Sequence, residues 1–207
     1  MAQKYLTASV LLFTLLFAAS GTQAAATDDA KHYADSVGTR VLAVVNQPGI
    51  GEEQKEKQVQ QIFADNVDID WMAKFVLGRG AQQATPEQMT HYMQAYRQYL
   101  LTRYTHNLKD YSGSKYTITK VTDDGSGRFS VHMTINSPNA PDQQQTDAGY
   151  QLQQSDNGQF KIRDIIIEGV SLITTQRSEF SSILSKNGLD ALTQSIESKN
   201  RSEKTAG

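Results

Sequence analysis

The chain has 207 residues, 38% apolar and 20% charged, with a formal net charge of -2 and no cysteine. That length fits one domain with appendages, and the composition is ordinary for globular protein. It excludes disulfides, thiol catalysis, cysteine-ligated zinc and a lipidated N-terminal cysteine, and it offers no dense basic run for nucleic acid.

Lys4 and the apolar run at residues 6–19 read as a secretory signal. The run is shorter than the roughly 20 residues that span a bilayer. Small residues place cleavage after Ala24 or Ala26, so residues 1–24 are expected to leave as a signal peptide. Cleavage removes Lys4 and no acid, moving the net charge to -3. The mature chain is then expected to be soluble outside the cytoplasm, with one domain over residues 25–192 and a frayed tail over 193–207.

Tyr33, Val37, Val41, Val44 and Val45 recur at helical spacing until "NQPG" stops them. The polar stretch "EEQKEKQVQQIF" carries a narrow stripe of Val59, Ile62 and Phe63. In "VDIDWMAKFVLGR" a short helix is expected, with Asp70 as its N-cap and Gly78 at its end. The strongest helix signal follows. Thr85 is placed to cap, Pro86 suits the first helical position, and Gln88 completes a capping box. Met89, Tyr92, Met93, Tyr96, Leu100, Tyr104 and Leu108 then repeat over roughly six or seven turns.

After Tyr111 the period becomes two. "RFSVHMTI" alternates Phe129, Val131, Met133 and Ile135 against polar residues, and "TDDGSG" joins it to an earlier strand near residues 116–121. A polar loop, "NSPNAPDQQQ", leads to alternation through Ala148, Tyr150 and Leu152. A three-residue Asp-Asn-Gly turn with Gly158 left-handed would put Phe160 and Ile162 on the face of Tyr150 and Leu152. In that register "DIIIEGVSLI" presents Ile165 and Ile167 on the opposite face, which then needs a cover of its own. A helix with Phe180, Ile183 and Leu184 closes the chain near Gly188, followed by a second helical piece. Helices first and an antiparallel sheet after predict an α+β fold, with N-terminal helices on one face of a twisted sheet of about four strands.

Chemistry is sparse. His32, His91, His106 and His132 are too scattered to share a metal. Asp68 and Asp70 could be read as a metal-binding pair, but helix N-capping explains Asp70 better, and Glu168 has no partner that would make it a general base. No phosphate loop or GxSxG occurs. Neither catalysis, metal nor cofactor is expected. The surplus is apolar surface, which is either filled core or a cavity for an apolar ligand.

Two stretches, "DIDWMAKFVLGRGAQQATPEQMTHYMQAYRQYLLTRYTHNLKDYSG" and "IRDIIIEGVSLITTQRSEFSSILSKNGLDAL", resemble the MlaC family, periplasmic auxiliary proteins once called toluene-tolerance proteins. The resemblance rests on "FVLGR" followed by "ATPEQ", the Tyr-rich helix ending "YSG", and "IEGVSLITTQRSEF". It departs at Gly80-Ala81, where the family often has an aromatic, and at Phe160, where it often has Trp.

The resemblance implies a soluble carrier holding phospholipid acyl chains in an apolar pocket between sheet and helices. Its partners would be an outer-membrane Mla lipoprotein complex and an inner-membrane Mla ABC transporter complex, met by transient docking rather than membrane insertion. The pocket is then expected from Met72, Phe75, Val76, Tyr96, Leu100, Tyr104, Val131, Met133, Tyr150, Ile165, Ile167, Val170 and Ile173, with Lys74, Arg79 and Arg97 a loose headgroup rim. The alternatives are a small apolar-ligand binder or enzyme on a cone-shaped α+β scaffold, and an adaptor with a dry core.

Overall fold

A computed structural model describes residues 19–105, 108–138 and 145–205. Residues 6–18 of the apolar run, His106 and most of the polar loop after β2 lie outside the described residues. Helices α1 (Ala19–Val45), α2 (Glu52–Asn66), α3 (Ile69–Leu77) and α4 (Pro86–Thr105) precede the sheet, and α5 (Leu172–Thr205) follows it. The strands β1 (Lys115–Gly125), β2 (Arg128–Asn136), β3 (Gln145–Gln154), β4 (Phe160–Ile167) and β5 (Val170–Ser171) form an antiparallel meander in chain order. The α+β class holds. The strand beyond the expected four is the two-residue β5, too short to carry an alternation of its own.

Local chemistry sets most of the element ends. The Thr85–Gln88 capping box forms in both directions. The Gln88 amide donates to Thr85 Oγ1 at 3.2 Å, and the Thr85 amide donates to Gln88 Oε1 at 3.1 Å. Gly78 ends α3 at φ 53°, and its N–H returns to the Lys74 and Phe75 carbonyls. The N-cap of α3 is Asp68 rather than Asp70. Its carboxylate accepts the Trp71 amide at 3.3 Å, while Asp70 falls inside the first turn. Asp68 also holds Arg163 Nε at 2.9 Å, and the Arg163 guanidinium lies 4.7 Å above the Trp71 ring.

The turn between β3 and β4 takes the expected register. Ser155 and Gln159 close it through a 2.9 Å hydrogen bond around Asp156-Asn157-Gly158, and Gly158 has φ 83°. Leu152 then stands opposite Ile162. Beyond that pair the expected alternation fails. Arg163 is an extra residue, a β-bulge, so that Asp164 pairs with Gln151, Ile165 with Tyr150 and Ile167 with Ala148. Paired residues share a face, so Ile162, Ile165 and Ile167 all lie on the helix-covered side with Leu152, Tyr150 and Ala148. The expectation that Ile165 and Ile167 need a second cover is therefore corrected. The bulge moves them to the first face, and Ile166 is the isoleucine left on the other, paired with Gly149.

The tail is likewise corrected. Residues 193–205 continue α5, with Leu192 and Ile196 fully buried and Thr193 and Asn200 buried. The C-terminal run is polar in sequence, but a narrow stripe of it packs home. The core runs from the inner face of the sheet, at Phe129, Val131, Leu152 and Ile162, into the helices. Tyr92, Tyr96, Tyr99 and Leu100 of α4 meet Met72 and Val76 of α3 and Phe180, Leu192 and Ile196 of α5. Among the described residues no helix is long and apolar enough to cross a membrane.

Candidate functional site

A cavity of about 400 Å³ lies between the helices and the inner face of the sheet. Val37, Val41 and Val45 of α1 and Val59, Ile62 and Phe63 of α2 form its roof. Met133, Ile135, Ala148, Tyr150, Ile162, Ile165 and Ile167 form its floor, with Tyr104 of α4 and Leu172 at one side. The helical spacing of the valines puts them on one stripe of α1. The bulge at Arg163 aligns three β4 isoleucines beneath them.

The mouth is marked by exposed apolar side chains. Ile167 is 38% exposed and Tyr111 49% exposed, and both belong to the cavity wall. Val170, 55% exposed, stands beside Ile167 across a tight turn in which Glu168 and Gly169 both have positive φ. Glu168 is a strand clamp there. Its carboxylate accepts the Asp147 amide at 2.7 Å, and its own amide donates to the Asp147 carbonyl at 2.8 Å.

The wall holds few polar groups. Asn66 is buried and spent on the backbone, donating to the Ile62 carbonyl at 2.6 Å. Tyr104 accepts Gln176 Nε2 at 2.8 Å, and Gln176 Oε1 accepts the Tyr96 hydroxyl at 2.5 Å, a chain running from cavity wall to core. Burial raises the pKa of Tyr104 and pushes that of Tyr150 up to about 12, so both phenols stay neutral at physiological pH. Lys115, at the start of β1, is the charged residue of the wall and is exposed.

Of the expected pocket residues, Tyr104, Met133, Tyr150, Ile165 and Ile167 line this cavity. Met72, Val76, Tyr96, Leu100, Val131 and Ile173 do not. They are buried in the core, because α4 presents its Tyr stripe to α3 and α5 rather than to the sheet. Phe75 stacks on Trp71 with ring centroids 5.0 Å apart and carries the Arg177 guanidinium on its other contact. Val170 stands outside the mouth. Lys74, Arg79 and Arg97 are exposed on or beside α3 and α4, and none of them belongs to the wall. Sequence reading missed the roof. The stripes of α1 and α2 were visible as stripes, but nothing local says that they cover a hollow.

Among the described residues no cluster of three His, Asp or Glu side chains could hold a metal ion, and His32, His91 and His132 are exposed. The arrangement is a hydrophobic hollow with an apolar lip, suited to enclosing an aliphatic group rather than activating a reacting one.

The family model for the MlaC protein matches residues 35–198. That match takes in every residue that lines the cavity. The chain belongs to the MlaC family. Toluene tolerance protein ttg2D of Pseudomonas putida is 26% identical over 136 residues, 64% of this chain. The match spans 60% of that relative's length. The phospholipid-binding protein from Ralstonia solanacearum, solved in complex with a phospholipid, superposes with a TM-score of 0.72 at 23% identity. The superposition covers 86% of this chain and 98% of that one, so the MlaC-family fold is shared nearly throughout.

Proposed function

We propose that this MlaC-family chain is a soluble periplasmic phospholipid carrier. The observation that carries this reading is the apolar cavity of about 400 Å³ with an exposed apolar lip at Tyr111 and Ile167. That volume lies in the range of about 300–1,000 Å³ usual for small-molecule sites. The solved relative with the same fold is named for phospholipid binding, which supports acyl chains as the guest. Lipid would pass between an outer-membrane lipoprotein complex and an inner-membrane ABC transporter, maintaining outer-membrane lipid asymmetry. The partners are drawn from family membership.

Energetics fit a carrier rather than a sink. Two acyl chains hold roughly 30 methylenes, worth on the order of 24 kcal/mol on leaving water. That exceeds the affinity ceiling of about 18–21 kcal/mol. A bilayer offers nearly the same gain, so membrane-to-pocket transfer is close to neutral and the barrier is exposure on the way. Docking partners that shield the lip would lower it. Export fits the packing of α1. Among its described side chains the first fully buried ones are Ala30 and Ala34, beyond both proposed cleavage points.

Native mass spectrometry of the protein purified from the periplasm tests the carrier reading. Phospholipid adducts are the expected result. A small metabolite bound instead would favour a different apolar-ligand binder, and a ligand-free protein that takes up no lipid would favour an adaptor.

A further inference from the structure

Five tyrosines stand on or beside the cavity wall: Tyr33 of α1, Tyr104 of α4, Tyr111 at the exposed lip, Tyr116 of β1 and Tyr150 of β3. Tyr111 is open to solvent and needs no partner from the protein. Three of the hydroxyls have partners in the protein. Tyr33 donates to the Asn66 carbonyl at 3.1 Å, Tyr104 accepts from Gln176 at 2.8 Å, and Tyr116 donates to the Asp35 carbonyl at 2.8 Å. The Tyr150 hydroxyl makes no hydrogen bond with any described residue. Among the described residues Asn200 Oδ1 is the buried side-chain polar atom without a partner, so the half-buried Tyr150 hydroxyl still reaches water through the cavity. A lipid that fills the cavity displaces that water and leaves the phenol in need of an acceptor, a need that phenylalanine would not have.

The place of this hydroxyl narrows its partner. Ala148 and Ile167 form a pair at the mouth, and Tyr150 pairs with Ile165 two residues further in. At about 3.4 Å per residue the Tyr150 backbone lies about 7 Å below that rim pair. Because its pKa is pushed up to about 12, the hydroxyl is a neutral donor. The charged residue of the wall, Lys115, sits exposed at the first residue of β1. With no cation among the cavity-lining residues at the depth of Tyr150, an anionic acceptor there would be uncompensated, and a neutral acceptor is favoured. In a glycerophospholipid the neutral acceptors a few bonds inside the phosphate are the ester carbonyls.

Resting on the carrier reading above, we propose that Tyr150 donates a hydrogen bond to an ester carbonyl of the bound phospholipid. This contact seats the glycerol at a fixed depth, with acyl chains below it and the phosphate toward Lys115. It makes the cavity sensitive to how the chains are joined to glycerol, ester against ether.

The test uses delipidated protein and two phosphatidylglycerols of equal chain length, one diacyl and one dialkyl ether, competed against a fluorescent phospholipid. Wild type is expected to bind the ester lipid about five- to tenfold more tightly, the worth of one hydrogen bond to a buried donor. Tyr150→Phe is expected to bind both lipids alike, at the wild-type ether affinity, with its melting temperature undiminished. Comparing the ratios between proteins cancels differences in how the two lipids self-associate. Equal binding of both lipids by wild type, or an ester preference retained by Tyr150→Phe, overturns this inference while leaving the carrier reading in place. Binding of neither lipid by wild type overturns both.

Discussion

Ile162 and Ile167 share the inner face of β4 but differ in depth. Ile162 is 2% exposed and Ile167 38% exposed at the mouth. A carboxylate at Ile162 would be buried without a partner, at a cost of several kcal/mol beyond the lost apolar burial. At Ile167 it can stay wet. Ile162→Glu is therefore expected to lower the melting temperature severely, and Ile167→Glu to leave it nearly unchanged while sharply reducing co-purified phospholipid. Melting curves beside phosphorus analysis of extracted lipid check both. Equal unfolding by the two variants would make the mouth ordinary core.

The buried phenols set a second expectation at this scale. Burial raises Tyr33 and Tyr150 from 10.0 to about 12, with Arg40 opposing the shift at Tyr33. In both cases the folded pKa lies above the unfolded one. Their contribution to stability is therefore complete below pH 10 and is lost as pH rises toward about 12. Urea unfolding across that interval should show the fall, and the double variant Tyr33→Phe, Tyr150→Phe should flatten part of it.

Among the elements, α5 depends on a break. Gly188 has φ 81° and ψ -180° inside an otherwise helical run, a conformation open essentially to glycine, and it lets α5 turn to bury Leu189, Leu192 and Ile196. Gly188→Ala should cost about 1–3 kcal/mol, read as a drop in the denaturant midpoint. At the start of α4 the reciprocal capping box predicts a smaller loss, about 1 kcal/mol for Thr85→Ala. Strand β4 depends on its bulge in the same way. Without Arg163 as an extra residue, strict alternation from Ile162 would carry Ile165 and Ile167 out of the cavity floor.

For the molecule as a whole, the described parts of the first and last helices differ in how they are tied down. Among the described side chains of α1 the first fully buried one is Ala30, whereas α5 has buried side chains as far as Asn200. A chain starting at Ala25 should match the stability of the longer form. A chain ending at Leu192 should lose several kcal/mol through loss of buried Ile196 alone and aggregate on expression. Thermal melts of the two truncations separate these outcomes, and a stable C-terminal truncation would return the tail to the frayed state its polar composition suggests.

What depends on neighbours along the chain could be read from the chain. The Thr85 capping box, the Gly78 stop, the Asp-Asn-Gly turn and the period change after Tyr111 each rest on interactions within a few residues. The α+β class follows from their order. What depends on distant partners could not be read. Whether the Tyr stripe of α4 faced a cavity or the α3–α5 core was settled by which helices packed against it, and both surroundings ask for the same side chains. The cavity roof came from α1 and α2, whose stripes look alike whether they cover a filled core or a hollow. The bulge at Arg163 moved Ile165 and Ile167 to the inner face, because strand pairing with Tyr150 and Ala148 outweighed strict alternation, and that pairing exists only in the assembled sheet.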